Sequence, residues 1–324
     1  MSESLYERCV AAGALSELEN LNVYRNKKIF EDLAQNVMPQ DNPVAIILGG
    51  QNASGKSTLG KQFLQEYQNN GMGIAKVEGD ALREHHPLFS NFIRDNDKLM
   101  TAYTAKDSGR WTERLIRDLA ASKRNMLIET TLRNPNVATE TVKQLHHLAG
   151  YDVQVKAFVV HYDKSLSGCY KRYEKMKAEQ GFGRFVHAHA LDAAYAGMPK
   201  TLQALKEQNI ASCIHLYTRN QSLFVGDYRT TDIVDIVNQE RRREFTTEEI
   251  KFLRDQWKDV FTMMRSRSAG KEEFTKISDR ISTRIQTMIA EKYPKTNINT
   301  MADIHAELSS HQKLKTTRRK GLHL

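Results

Sequence analysis

The chain has 324 residues, 40% hydrophobic and 27% charged, and 48 Lys and Arg against 39 Asp and Glu give a formal charge of +9. That length suits one large domain or two smaller ones, and the apolar content suffices to bury a core, which excludes a wholly disordered chain. No window reaches the roughly 18 consecutive apolar residues of a membrane span; a start, MSESLYERCV, without the basic and apolar runs of a leader, and three scattered cysteines (Cys9, Cys169, Cys213), predict a reducing, cytoplasmic setting.

Residues 1–42 read as two short helices opened by the capping boxes Ser4-x-x-Glu7 and Ser16-x-x-Glu19, and they end at the breakers Pro39 and Asp41-Asn-Pro43. From Val44 the period changes. Short apolar runs, Val44–Leu48, Ile74–Val77, Met126–Ile128, Val153–Val160 and Cys213–Tyr217, alternate with helical stretches of roughly 12–25 residues, the pattern of βαβ units around a buried parallel sheet. After Asn238 the pattern is helical only. Thr246-x-x-Glu249 caps a segment with Ile250, Leu253, Trp257, Val260, Phe261 and Met264 on one face. Beyond Ser268-Ala-Gly270 a second segment repeats it with Phe274, Ile277, Ile281, Ile285, Met288 and Ile289, which predicts a helical hairpin. The end, Leu308–Leu324, has five bases and no acid and reads as a basic tail.

These shifts predict four parts: a helical segment 1–42, an α/β domain 43–238, a helical extension 239–308 and a tail 309–324. The charge is uneven among them. Residues 1–238 carry a net +2 and residues 239–324 a net +7, so any nucleic-acid reading applies to the last quarter and is disfavoured for the α/β part.

The sharpest motif is Gly50-Gln51-Asn52-Ala53-Ser54-Gly55-Lys56-Ser57, a complete G-x-x-x-x-G-K-S run between an apolar strand and a helix-forming stretch; these eight residues and Thr58 form the predicted nucleotide-binding set. Such a loop turns successive N–H groups into one concavity at a helix N-terminus, with the lysine reaching the β/γ-phosphates and the serine hydroxyl on Mg²⁺. It therefore predicts binding of ATP or GTP with Mg²⁺ through Ser57. Ala53 stands where many such loops carry another glycine, which narrows the backbone freedom there and leaves the donors in place.

Three further motifs lie where strand ends or a lid face that loop. The second strand runs into Glu78-Gly79-Asp80 and then Arg83 and His86-Pro87; Asp80 at a strand's C-terminal end can serve as general base toward an acceptor hydroxyl, or can simply cap a helix. The third strand ends in Glu129-Thr-Thr131-Leu-Arg133, acids and donors suited to a polyhydroxylated substrate, or else a solvated loop. Arg172 and Arg184 flank the Gly-containing bend Gln180-Gly-Phe-Gly, where permanently charged guanidinium groups can hold a transferring phosphoryl group. With Lys171, Lys175 and Lys177 nearby, the same stretch also reads as a basic helix face. The histidines show no convincing metal spacing.

In order and spacing these motifs resemble the zeta toxin family of P-loop kinases, over roughly residues 43–220. The resemblance rests on Gly50–Ser57, Gly79-Asp80-x-x-Arg83-x-x-His86-Pro87, Leu127-Ile-Glu129-x-Thr131-x-Arg133, Gly150-Tyr151, and Arg172-Tyr173 followed by Arg184. It implies an α/β P-loop kinase with a mostly parallel five-stranded sheet flanked by helices, plus a C-terminal helical extension. It also implies transfer of the ATP γ-phosphate to the 3′-hydroxyl of the amino sugar of UDP-N-acetylglucosamine. By position it assigns Lys56 and Ser57 to ATP and Mg²⁺, Asp80 to the base, and Arg172 and Arg184 to the transferring phosphate. It places Arg83 at the acceptor site and puts Glu113, Glu129, Thr131 and Arg133 on the sugar nucleotide; Glu113 lies in the helix Trp111-Thr-Glu113-Arg-Leu without a sharp motif of its own. Family antitoxins are small helical proteins that cover the nucleotide site. The segments 1–42 and 239–324 fall outside the resemblance, which leaves a separate antitoxin and self-inhibition by these helices both open.

Two other readings keep the P-loop. One changes the acceptor to an antibiotic, a dinucleotide or a nucleic-acid 5′-end, since fold does not fix substrate. The other makes the chain a nucleotide-binding module whose helical hairpin docks on a partner or folds over its own crevice.

Overall fold

The computed structural model describes residues 3–275, 277 and 281. Ile285, Met288 and Ile289 of the predicted second hairpin helix, and the basic tail, lie outside the described residues. The chain forms two compact units, 1–263 and 264–324.

In chain order the first unit begins with α1 (Glu3–Gly13), α2 (Glu17–Asn26) and α3 (Ile29–Ala34), three helices where the sequence suggested two. Lys28, at φ +50°, breaks the second helical stretch. The Ser16 box is present, with Ser16 N donating to Glu19 Oε2 at 2.9 Å and Glu19 N to Ser16 Oγ at 3.3 Å. Ser4 lies one residue inside α1.

The sheet strands are β1 (Val44–Gly49), β2 (Ala75–Glu78), β3 (Met126–Glu129), β4 (Asp152–Phe158), β5 (Cys213–Tyr217) and β6 (Ser222–Phe224), in the order β2-β3-β1-β4-β5-β6. All neighbours are parallel except β5 and β6. The five strands read from apolar runs are there. The sixth corrects the expected count: three residues returning antiparallel through the turn at Thr218–Gln221 are too short to leave a period in the sequence.

Between them run α4 (Lys56–Asn69), the single turn α5 (Gly79–Leu82), α6 (Phe89–Tyr103), α7 (Ala105–Ala121), α8 (Pro135–Lys143), α9 (Tyr162–Gln180) and α10 (Ala188–Gln208). After β6 come α11 (Ile233–Arg242) and α12 (Thr247–Ser266). Two apolar layers flank the sheet. Ile47, Val77, Ile128, Val155 and Ile214 face Trp111, Leu115, Met198 and Leu202, while Ile46, Leu48 and Leu127 face Leu59 and Phe63 of α4. Burial on both faces is why these strands read as unbroken apolar runs.

The segment before β1 is fastened to α7. The fully buried Asp107 carboxylate accepts from Leu15 N at 3.0 Å and Asn20 Nδ2 at 2.7 Å, and Trp111 Nε1 donates to Asn20 O at 2.9 Å. His86 Nε2, from the Arg83-x-x-His86 signature, lies 3.1 Å from Gly13 O and 3.6 Å from Asp107. This histidine receives the end of α1 rather than a ligand. At the other end, Thr246 and Glu249 form the predicted capping box, and Leu253, Trp257, Val260 and Phe261 of α12 are buried. Trp257 meets Tyr170 of α9 at 5.5 Å between ring centroids.

Candidate active site

The P-loop leaves β1 at Gly49 and enters α4 at Lys56. Gly50 and Gly55 have φ of +141° and +109°, values that favour glycine, and Ala53 sits at +57°, a left-handed position where its Cβ costs roughly 1 kcal/mol. Arg219 supports that position from the end of β5, donating Nη2 to Ala53 O at 2.6 Å and to Lys164 O of α9 at 3.1 Å. Beneath the loop, Gln51 is fully buried. Its Nε2 donates to Val160 O at 2.6 Å and its Oε1 accepts from Arg241 Nη2 of α11 at 3.3 Å. Arg241 also donates to Tyr195 O at 2.6 Å and stacks 3.8 Å from the Tyr195 ring centroid, so the loop rests on a buried cation from outside the predicted domain.

A cavity of about 550 Å³ opens from this loop between the C-terminal strand ends and α7, α8 and α9. Asn52, Ala53, Ser54, Gly55, Lys56, Ser57, Asp80, Arg83, Glu113, Glu129, Thr131, Arg133, Arg172 and Arg184 all line it. The structure therefore brings together every residue assigned to catalysis or to the acceptor. Gly50, Gln51 and Thr58 of the predicted nucleotide-binding set do not line it, Gln51 having its side chain buried against Val160 O.

Lys56 Nζ donates to the carbonyls of Gly50 and Gln51, the latter at 3.0 Å. Burial, with Arg172 adding to it, brings Lys56 down to about 8 against the pull of Glu129 and Asp80. Asp80 is not the N-cap: it lies within α5, whose N-cap is Glu78. Its Oδ1 accepts from Arg83 Nε at 3.0 Å and its Oδ2 lies 3.9 Å from Arg184 Nη1. Burial alone would raise this carboxyl, but Arg83, Arg184 and Arg172 hold it at about 2. Asp80 is thus ionised at neutral pH, a carboxylate suited to accept a hydrogen bond more than to take a proton. Arg83 is engaged on its other side by Thr101 O at 2.8 Å and Thr104 Oγ1 at 2.9 Å, so it serves mainly to aim Asp80.

On the neighbouring strands, Lys76 Nζ bridges Glu78 at 2.6 Å and Glu129 at 3.1 Å. The loop after Glu129 is strained, with Leu132 at φ +51° and only 2% exposed. Two contacts from α10 hold it there. Thr201 Oγ1 donates to Leu132 O at 2.7 Å, and Gly197 approaches so closely that a Cβ would stand 2.0 Å from Arg133 O. The result places Thr131 and Arg133 on the cavity wall, which Asp80 and Glu113 also line.

Among the described residues, Arg172 Nε and Nη2, Arg184 Nε and Ser54 Oγ are buried polar atoms without a hydrogen-bond partner. Buried donors of this kind around a P-loop fit an anion with several oxygens. No group of three or more His, Cys, Asp or Glu among the described residues could hold a metal unaided.

Sequence reasoning missed Lys76, Arg219 and Arg241. Arg219 follows β5 at its C-terminal end, the same position rule that located Asp80 and Glu129, and Lys76 is a cation inside an otherwise apolar strand; both signals were legible. Arg241 had none, since only the tertiary structure brings α11 under the loop.

Among known proteins, residues 27–230 match the family described as Zeta toxin. The chain is 28% identical over 224 residues to toxin zeta of Enterococcus hirae, covering 68% of this chain and 77% of that one. It is likewise 28% identical over 199 residues to toxin PezT of Streptococcus pneumoniae serotype 4, covering 61% and 77%. A solved chain of the PezAT chromosomal toxin–antitoxin system of Streptococcus pneumoniae superposes with a TM-score of 0.65 at 24% identity, covering 78% of this chain and 98% of that one, a likeness of fold. The mostly parallel sheet flanked by helices, with its P-loop after β1, is a P-loop kinase fold, and the chain belongs to the Zeta toxin family.

Proposed function

We propose that the protein is an ATP-dependent kinase, the toxin of a toxin–antitoxin pair, that phosphorylates the 3′-hydroxyl of the amino sugar of UDP-N-acetylglucosamine. The observation that carries this reading is one cavity lined at once by the P-loop, by the carboxylates Asp80 and Glu129, and by the arginines Arg133, Arg172 and Arg184. An ATPase needs a water site; this cavity offers a second set of polar groups suited to a polyhydroxylated acceptor. Lys56 and the loop amides bind the phosphates, Asp80 orients the attacking hydroxyl in line, and Arg172 and Arg184 face the oxygens on which charge develops. Glu113, Glu129, Thr131 and Arg133 bind the sugar nucleotide. Mg²⁺ would be held by Ser57 together with the nucleotide's own phosphates and would neutralise their charge.

The similarity to toxins of toxin–antitoxin systems supports the toxin role and a small helical antitoxin as partner. Among the described residues no helix is long and apolar enough to cross a membrane, in keeping with a cytoplasmic site of action. The test is incubation of the purified chain with Mg·ATP and UDP-N-acetylglucosamine. Mass spectrometry should find the sugar nucleotide heavier by one phosphoryl group, and NMR should find phosphorus coupling at the 3′ position of the sugar; ADP formed without such a product would overturn the acceptor.

A further inference from the structure

The segment that carries Arg184 is tied down by one buried side chain that belongs to no motif. Helix α6 is interrupted at Asn96, whose backbone is extended (φ −166°, ψ 100°), and the next residue, Asp97, is 7% exposed. Its Oδ2 accepts from Lys177 Nζ at 2.7 Å and from the backbone N–H of Gly183 at 3.1 Å. Tyr173 Oη donates to both oxygens, at 3.1 and 3.2 Å. One carboxylate therefore joins α9, which carries Arg172, to the amide immediately before Arg184. A second bond from the same helix continues the clamp, Thr101 Oγ1 donating to Phe185 O at 3.1 Å.

We infer that Asp97 is a positioning residue for phosphoryl transfer, holding Gly181–Phe185 so that the Arg184 guanidinium stands beside Asp80. This rests on the kinase reading above. A carboxylate suits the task because it accepts three donors at once from directions that a neutral side chain cannot all satisfy. Glycine is required at 183 for the same closeness, since a Cβ there would stand 2.6 Å from Tyr173 O. With the anchor gone, the bend keeps the Gly181 N bond to Lys177 O at 3.0 Å, the Thr101 bond, aromatic contacts and the long Arg184–Glu78 pair at 3.8 Å. The amide next to Arg184 has then lost its acceptor, and Arg184 Nη1, at 3.9 Å from Asp80 Oδ2, loses its fixed distance.

The test compares Asp97→Ala and Asp97→Asn with the wild type, using full-length protein and two readouts. Hydrogen exchange of the Gly183 amide should quicken on the order of tenfold to a hundredfold in Asp97→Ala and less in Asp97→Asn, which keeps one acceptor oxygen. With Mg·ATP and UDP-N-acetylglucosamine, kcat should fall on the order of tenfold to a hundredfold while KM for ATP stays within about twofold, because the P-loop is untouched. Asp95→Ala, whose side chain is 70% exposed two residues away, should change neither. If Asp97→Ala does not fold, the Asn variant carries the comparison. An unchanged exchange rate at Gly183 overturns the anchor; faster exchange with unchanged kcat overturns the positioning role. A wild type inert toward UDP-N-acetylglucosamine overturns the acceptor proposed above and leaves the exchange measurement to decide the anchor.

Discussion

Titration of Lys56 offers a direct test of how the phosphate site is built. The lysine is partly exposed at the cavity, and burial lowers it from the ordinary 10.5 to about 8. At about 1.4 kcal/mol for each pH unit the difference is ~3 kcal/mol, and solvent screening at the open side reduces it to about 2 kcal/mol. The folded state therefore releases the Lys56 proton more readily than the unfolded chain does. Between pH 8 and 10.5 the unfolded chain binds the extra proton, so stability contributed by this site rises with pH in that window and is lowest below it. Urea unfolding of wild type and Lys56→Met at pH 7 and pH 10.5 isolates the effect, since contacts that do not titrate cancel in the double difference. The wild type should gain about 2 kcal/mol relative to the variant on going to pH 10.5. The same titration weakens ligand capture: kcat/KM for ATP should fall above pH about 8 as the free enzyme loses its cation, while kcat, reporting a lysine whose charge bound phosphates favour, holds to higher pH. A stability gap and a kcat/KM that are both flat from pH 7 to 10 would refute the assignment of a desolvated lysine.

Three further outcomes are expected. Asp80→Asn should lower kcat by about 10²- to 10⁴-fold with ATP affinity retained in calorimetry, and no acid limb between pH 5 and 8 should trace to Asp80, whose arginine neighbours hold it at about 2. Arg241→Met leaves Gln51 Oε1 and Tyr195 O without their donor and removes the stacked cation, while relieving the burial that brings the arginine down to about 10. The net loss should be ~2 kcal/mol in urea melts, with ATP affinity falling in parallel because Gln51 supports the loop; unaltered binding would separate Arg241 from the site. Asp107→Ala strips the buried acceptor from Leu15 N and Asn20, and should cost about 3 kcal/mol and expose residues before β1 to limited proteolysis.

What the sequence disclosed and what it withheld follow from the range of the forces involved. The five long strands, buried on both faces, left continuous apolar runs, and the P-loop is a local backbone device whose residues are adjacent in the chain. Asp80, Glu129 and Thr131 were legible because every parallel strand delivers its C-terminal end to the same crevice, so position along the strand stands in for position in space. Arg83 was placed at the acceptor, but the structure spends its guanidinium on Asp80, Thr101 and Thr104, a geometry that no spacing rule contains. The positions of Asp97 and Arg241 are legible only in three dimensions: they join elements 86 and 190 residues apart. Nothing local marks Leu132 for its φ of +51°, because the contacts that hold it come from α10.

The charge excess of the last quarter also takes on a specific meaning. Two of its bases, Arg241 and Arg243, serve the P-loop side of the molecule, while Arg242, Lys251, Arg254 and Lys258 are exposed. Arg241 is 7% exposed beneath Gln51, and Arg243 binds both oxygens of Glu249 at 2.7 Å and Glu240 at 2.9 Å. Glu249 in turn takes Lys164, the α9 residue whose carbonyl is bridged by Arg219 to Ala53 of the P-loop. On the next turns of α9, Gln256 Nε2 donates to Ser167 Oγ at 3.0 Å and Lys171 pairs with Asp259 at 2.8 Å. Helices α11 and α12 lie past residue 230, where the family match ends, yet they brace the phosphate loop and the helix that presents Arg172. A chain cut at 238 would therefore keep every residue that lines the cavity and lose the supports of Gln51 and of α9, so lowered activity in such a truncation would report lost bracing. Release from self-inhibition is the opposite result, a rise in rate, and the contacts through α12 argue against it.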